Sequence, residues 1–397
     1  MVGTENDPNK RAKSCEIGVG GNEIDDFRDY ILRLPFHIIV DIFLKLPVKT
    51  LVQCRCVCKV WRALFSDPHF TKLHFSRAPT CFLLHSNRSF KRNSQNLLLV
   101  ELGLPSGDAI LRISNTPDFP NFGIELVGSC NGLMCMYDRQ KNGPIYVSNP
   151  VIGEYLSVPS AVDDQTLPLV CGLGFSQKDN QYKLIQIVPK LSFDDDKMEA
   201  KMWTLGSDTW RSIGDVPFLF SPPSFGTFLH GNLHWIADYS RGSELICCLD
   251  LETEQFRALP PPPAYRPSEN RLFWENPGVL EDCLYFTCCL DNYADTVDIW
   301  VMEEYGIKTS WTRKFVVRDP GQSWWDPIGF RVLRVLKSSG GLLVLCNFRL
   351  YFYDPKKCVF KRVEIDGIQS QVEAMCYFPS FTSLKDVIRG KSQRYEE

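Results

Sequence analysis

The sequence predicts an α+β multidomain protein, a small three-helix module near the N-terminus followed by an all-β propeller of about six blades. Three observations carry this. Over residues 34–65 the apolar side chains fall at helical spacing. Beyond residue 79 that spacing gives way to short runs of Val, Ile, Leu, Phe, Tyr and Cys separated by turn residues. Within this second stretch a pattern recurs about every 50 residues.

In the helical segment Leu34, Ile38, Ile42 and Leu46 share one stripe, with Ile39 and Phe43 beside it. Leu51, Val57, Trp61, Leu64 and Phe65 continue the pattern after a break. Pro35 stands where a first helix begins, suiting its fixed φ and missing N–H. Pro47 imposes the break, because proline disfavours a helical residue before it. Three such short helices bury too little surface to stand alone, so the module should dock on something.

The segment resembles an F-box over residues 28–75. The resemblance rests on Leu34-Pro35, on Leu46-Pro47-Val48-Lys49-Thr50, on Cys56-Val57-Cys58-Lys59-Val60-Trp61 and on Asp67-Pro68-His69-Phe70. Two departures stand out: His37 replaces the usual acid, and Gln53-Cys54 replaces the common Arg-Phe. The resemblance implies docking on a Skp-type adaptor and, through it, on the cullin and RING protein of a ubiquitin ligase. It assigns adaptor contact to Leu34, Pro35, Ile38, Ile42, Leu46, Pro47 and Val57, and a bracing role to Trp61. The competing reading has these residues packing against the large domain behind them. Two prolines at these sites and the following Lys-Val-Trp favour docking.

From 79 to 384 each repeat opens with a small-residue turn and an apolar hairpin, as in GSCNGLMCMY from 128 and GTFLHGNLHWIA from 226. It then runs through a strand ending in a polar turn to a last strand led by an aromatic: Tyr155, Trp210, Phe256, Trp311 or Phe360. A four-stranded blade cannot bury both faces alone, but a ring of blades can, with the aromatics wedged between neighbours. Residues 82–103 would supply the first blade, and the strand at 371–378 would return to complete it and remove the open edge.

This stretch is similar to the plant F-box-associated domain, a kelch-like β-propeller. Gly128-Ser129-Cys130-Asn131-Gly132-Leu133 and Ser148-Asn149-Pro150 resemble its opening blade. Gly172-Leu173-Gly174-Phe175 with Tyr182-Lys183-Leu184, and Gly231-Asn232-Leu233-His234-Trp235, resemble later ones. An F-box joined to such a domain implies a substrate receptor that holds an unknown protein target for ubiquitination.

Composition sets the remaining bounds. The chain has 397 residues, 44% hydrophobic and 12% aromatic, as expected of a packed globular protein. A formal charge of −3 offers no general attraction to nucleic acid or an anionic membrane. No apolar run approaches a membrane span, and the polar start is no signal peptide. The 16 cysteines are therefore expected as reduced thiols in the cytosol or nucleus. Residues 1–27 read as a disordered tail and 385–397 as a flexible one.

No catalytic, metal or cofactor site is expected. Cys54, Cys56 and Cys58 are two apart on a helix and have no partner pair at zinc spacing. His230 and His234 lie on opposite arms of a hairpin rather than on one helix face. Target contact should instead fall on loops at one rim of the ring. Trp324 and Trp325, together with Tyr265 and Arg266 beyond the Pro260–Pro263 run, are the candidate anchors, with Asp194–Lys197 as a charged loop. The alternatives are a propeller that binds a small molecule or glycan, with the F-box coupling it to degradation, and a propeller enzyme.

Overall fold

The computed structural model describes residues 34–86, 97–101, 109–113, 124–138, 144–161, 170–190, 197–220, 223–238, 245–264, 273–274, 277–289, 295–322, 325–326, 329–336, 340–365 and 371–389. Contacts divide the chain into two units, residues 1–46 and 47–397. The first unit contributes helix α1 (Phe36–Phe43), which starts directly after Pro35.

The second unit begins with three more helices. Helix α2 (Val48–Arg55) follows Pro47, and α3 (Lys59–Phe65) is capped by Cys58, whose sulfur accepts from the Trp61 N–H at 3.4 Å. Helix α4 (Pro68–Arg77) starts at an aspartate cap: Asp67 Oδ1 accepts from the His69 and Phe70 N–H groups at 3.0 and 3.1 Å. Residues 34–77 thus hold four helices, not three. Asp67-Pro68 is a capping residue followed by proline at the first helical position, and together they nucleate an extra helix.

The strands follow in chain order. They are β1 (Cys81–Ser86), β2 (Leu97–Glu101), β3 (Ala109–Ile113), β4 (Ile124–Cys130), β5 (Leu133–Asp138), β6 (Ile145–Asn149), β7 (Glu154–Val158), β8 (Val170–Ser176), β9 (Gln181–Pro189), β10 (Met198–Thr204), β11 (Arg211–Val216), β12 (Ser224–Leu229) and β13 (Asn232–Ile236). Then come β14 (Ile246–Asp250), β15 (Phe256–Leu259), β16 (Phe273–Trp274), β17 (Gly278–Leu280), β18 (Cys283–Cys289), β19 (Thr296–Met302), β20 (Trp311–Arg318), β21 (Arg331–Leu336), β22 (Gly341–Cys346), β23 (Arg349–Asp354), β24 (Val359–Arg362) and β25 (Val372–Tyr377).

Among the described residues they form antiparallel meanders in the orders β4-β5-β6-β7, β8-β9-β10-β11, β12-β13-β14-β15 and β21-β22-β23-β24. A further meander runs through β18-β19-β20, with β16 and β17 both on β18. The N-terminal meander β1-β2-β3 is completed by the last strand: β25 pairs antiparallel with β1, Cys81 opposite Tyr377 and Ser86 opposite Val372. The edge strands β25, β4, β8, β12, β17 and β21 each touch the next, and β21 returns to β25. β8 and β12 even pair in parallel, Gly226 opposite Gly172. Glycine is needed there, since a Cβ on Gly226 would lie 2.6 Å from the Trp235 ring.

Side-chain hydrogen bonds pin the meanders together. Tyr182 Oη donates to the Asn131 carbonyl at 2.9 Å, and Tyr377 Oη to the Gly132 carbonyl at 2.7 Å. Lys183 Nζ, almost fully buried, donates to the Leu251 carbonyl and pairs with Asp179 at 2.7 Å. The indoles of Trp210 and Trp311 donate to the carbonyls of Pro159 and Pro260, each on the preceding meander. Tyr155, expected as another wedge, is instead half exposed because its strand β7 is an outer strand with a polar flank.

The chain past β25 stays ordered further than the tail expected from 385. Helix α5 (Leu384–Ile388) buries Leu384 and Val387, and the Glu154 carboxylate accepts from the Leu384 N–H at 2.7 Å. No helix among the described residues is long and apolar enough to cross a membrane.

Candidate functional site

On α1 the side chains of Ile38 and Ile42 are 38% and 46% exposed, and Leu34 just before the helix is 39% exposed. Pro35 is exposed, while Leu46 and Pro47 are half-buried. In the second unit Val57, between α2 and α3, is 42% exposed. Val60, inside the same F-box motif, is more exposed still. Trp61 is half-buried.

The opposite side of α2–α4 is spent on the strand domain. Val48, Leu51, Leu64, Phe65 and Phe70 are buried. The Val48 N–H donates to Glu101 Oε2 of β2 at 3.3 Å. Phe381, beyond β25, stacks on Phe65 at 5.6 Å and meets the His74 ring edge-on at 5.1 Å, and Phe75 of α4 meets Phe378 at 6.4 Å. Val57 and Val60 thus stay exposed on helices whose other apolar side chains are buried.

The helices sit at the end of the ring where the edge strands terminate, since β1 and Phe378 both lie there. The meander topology sends β9, β15 and β20 out at the other end. The stretches that follow them contain Asp194–Lys197, Pro260–Arg266 and Asp319–Asp326. Of these, Asp194, Asp195 and Asp196 lie outside the described residues. Tyr265, Arg266 and Trp324 lie outside the described residues. Trp325 is half-buried, its ring 6.0 Å from Phe330 and 5.9 Å from Phe360.

The two hairpin histidines do different jobs. His230 is exposed and its Nε2 lies 3.1 Å from Asp282 Oδ2. His234 is fully buried: one ring nitrogen faces the Thr227 carbonyl at 3.0 Å and the other the Tyr305 hydroxyl at 2.7 Å. The carbonyl can only accept, so Nδ1 carries the proton and Nε2 accepts from Tyr305. Burial pulls the His234 pKa down to about 4. Among the described residues no group of His, Cys, Asp and Glu side chains could hold a metal ion. The cysteines there are unbridged, and burial raises the thiol pKa of those in the strands, as at Cys130 and Cys171.

The motif Ser148-Asn149-Pro150 also has a structural role. Asn149 is fully buried, and its Nδ2 donates to the carbonyls of Ser380 and Thr382 at 2.9 and 2.8 Å while its Oδ1 accepts from Val151.

A ring of meanders with helices α2–α4 packed against it invites family comparison. Residues 82–384 match the family described as F-box associated beta propeller domain, and residues 31–73 match the F-box domain. The chain belongs to this family, as a plant F-box protein with a C-terminal F-box-associated domain. It is 29% identical to F-box protein At3g07870 of Arabidopsis thaliana, covering 89% of this chain and 90% of that one. It is 26% identical to F-box/kelch-repeat protein At3g23880 (89% and 96% covered) and 29% identical to F-box protein CPR1 (86% of each), both from the same plant.

Proposed function

We propose that this protein is the substrate-recognition subunit of a Skp-cullin-F-box ubiquitin ligase, acting in the cytosol or nucleus. The F-box helices dock a Skp-type adaptor, a six-bladed ring carries the target, and neither part needs a catalytic residue. Catalysis by such a receptor is proximity, since holding a target lysine beside a charged thioester replaces an encounter from solution.

The observation that carries the reading is the exposure of Leu34, Ile38, Ile42 and Val57, apolar side chains on F-box elements. Exposed apolar side chains on such short helical elements mark association sites. The target would meet the rim away from α2–α4, where the long connections leave it free of the adaptor.

The test is co-purification with a Skp-type adaptor, comparing the wild type with a Leu34→Ala, Pro35→Ala double variant. Tight wild-type binding and at least tenfold weaker binding by the folded variant support the proposal. No wild-type binding overturns it.

A further inference from the structure

The edge strands enclose a cavity of about 450 Å³ along the axis of the ring. Its size falls within the roughly 300–1,000 Å³ of small-molecule sites. The walls are largely apolar, with Leu126, Phe225, Val332, Leu333 and Met375 among them.

Most polar groups on the walls are already used. Ser129 Oγ donates to the Cys376 carbonyl at 2.9 Å, Thr227 Oγ1 to the Pro277 carbonyl at 2.6 Å, and Tyr285 Oη to the Val332 carbonyl at 2.7 Å. Asp282, at the end near the helices, is taken by His230.

Arg331 is different. It opens β21, so it lines the cavity at the end away from His230 and Asp282. It is half-buried, and its charge is felt at the Tyr285 hydroxyl on the same wall. None of the ion pairs among the described residues involves Arg331. A guanidinium at an apolar wall is stabilised by an anion that brings its own apolar body.

We propose that the axial cavity binds a small amphipathic anion, its carboxylate or sulfonate head on Arg331 and its apolar part among the edge strands. Phe75 of α4 lines the same cavity, so a molecule that fills it touches an F-box helix as well as the ring. The site shares no residue with the proposed adaptor face, and its Arg331 end lies on the side of the ring proposed for the target.

The test uses the full chain and the fluorescent anion 8-anilinonaphthalene-1-sulfonate. Saturable one-site enhancement is expected, displaced by decanoate and not by decanol. Arg331→Gln should weaken binding about tenfold or more, the loss of one charge-assisted contact. Gly128→Val provides a second arm. A Cβ there meets only the Gly226 carbonyl oxygen, at an ordinary 3.5 Å, so the variant should fold and fill the space. Melting curves of both variants check folding, and if Arg331→Gln does not fold, Gly128→Val decides alone. Unchanged dye binding in the folded variants overturns the site, and displacement by decanol as effective as by decanoate overturns its anionic character.

Discussion

Strand β8 and the F-box helices treat the same kinds of side chain in opposite ways. Every residue of β8 is buried, because meanders flank it on both sides and the ring leaves no free sheet face. On α1, Ile38 and Ile42 are exposed while Ile39, Val40 and Phe43 are buried, and Val57 between α2 and α3 is exposed as well. A closed ring uses its apolar surface for itself. A module that buries one stripe and leaves a second open has surface to spend on a partner.

If this contrast is right, disturbing the two regions should have unequal effects on stability. Acid should act most strongly. His74, His85 and His234 are all buried with pKa values pulled to about 4 by desolvation. Nδ1 of both His74 and His85 lacks a hydrogen-bond partner. Their folded pKa values lie below the unfolded value of about 6.5, so the unfolded chain binds more protons between the two and stability rises with pH. The stabilisation is complete above about pH 6.5 and is lost as pH falls towards 4, by up to about 3 kcal/mol for each histidine. Urea unfolding across that window should show it, and His74→Phe should flatten the slope by roughly one third. A pH-independent midpoint would sink this account.

Trp235→Ala comes next. Trp235 is fully buried, fills the space left by Gly172 and Gly226, and donates to the Cys171 carbonyl at 3.3 Å. A loss of about 3–5 kcal/mol is expected by chemical denaturation. Asn149→Ala should cost less, about 1–3 kcal/mol, by leaving the Ser380 and Thr382 carbonyls unpaired. Its signature should be local, with faster hydrogen exchange in residues 380–388.

Ile42→Asp and Val57→Ser should have the smallest effect, within about 0.5 kcal/mol on unfolding. On the proposed function they should nevertheless remove most adaptor binding. A large stability loss at Ile42 would mean its stripe supports the fold, and the contrast with β8 would fail.

The sequence shows why some features were legible and others were not. The two prolines and the apolar spacing exposed the helical module, and the 50-residue recurrence exposed the strand repeats. The return of residues 371–378 to the first meander was readable because a lone final strand needs a partner. The fourth helix was missed because Asp67-Pro68 reads as a motif end until its cap geometry is seen. Residues 385–388 read as part of a charged tail, and only contact with Glu154 and the strand core makes them a helix. The family motifs look like site signatures, yet Asn149, Tyr182 and Lys183 turn out to be joints between meanders.

By itself the sequence determined the local periods, and with them the division into helices and repeating strands, because side-chain spacing reports which face of an element is buried. Tertiary structure alone decided which apolar residues stay open and that Arg331 faces an axial cavity. Those properties depend on which elements meet, and contacts between residues two hundred positions apart leave no trace in local spacing.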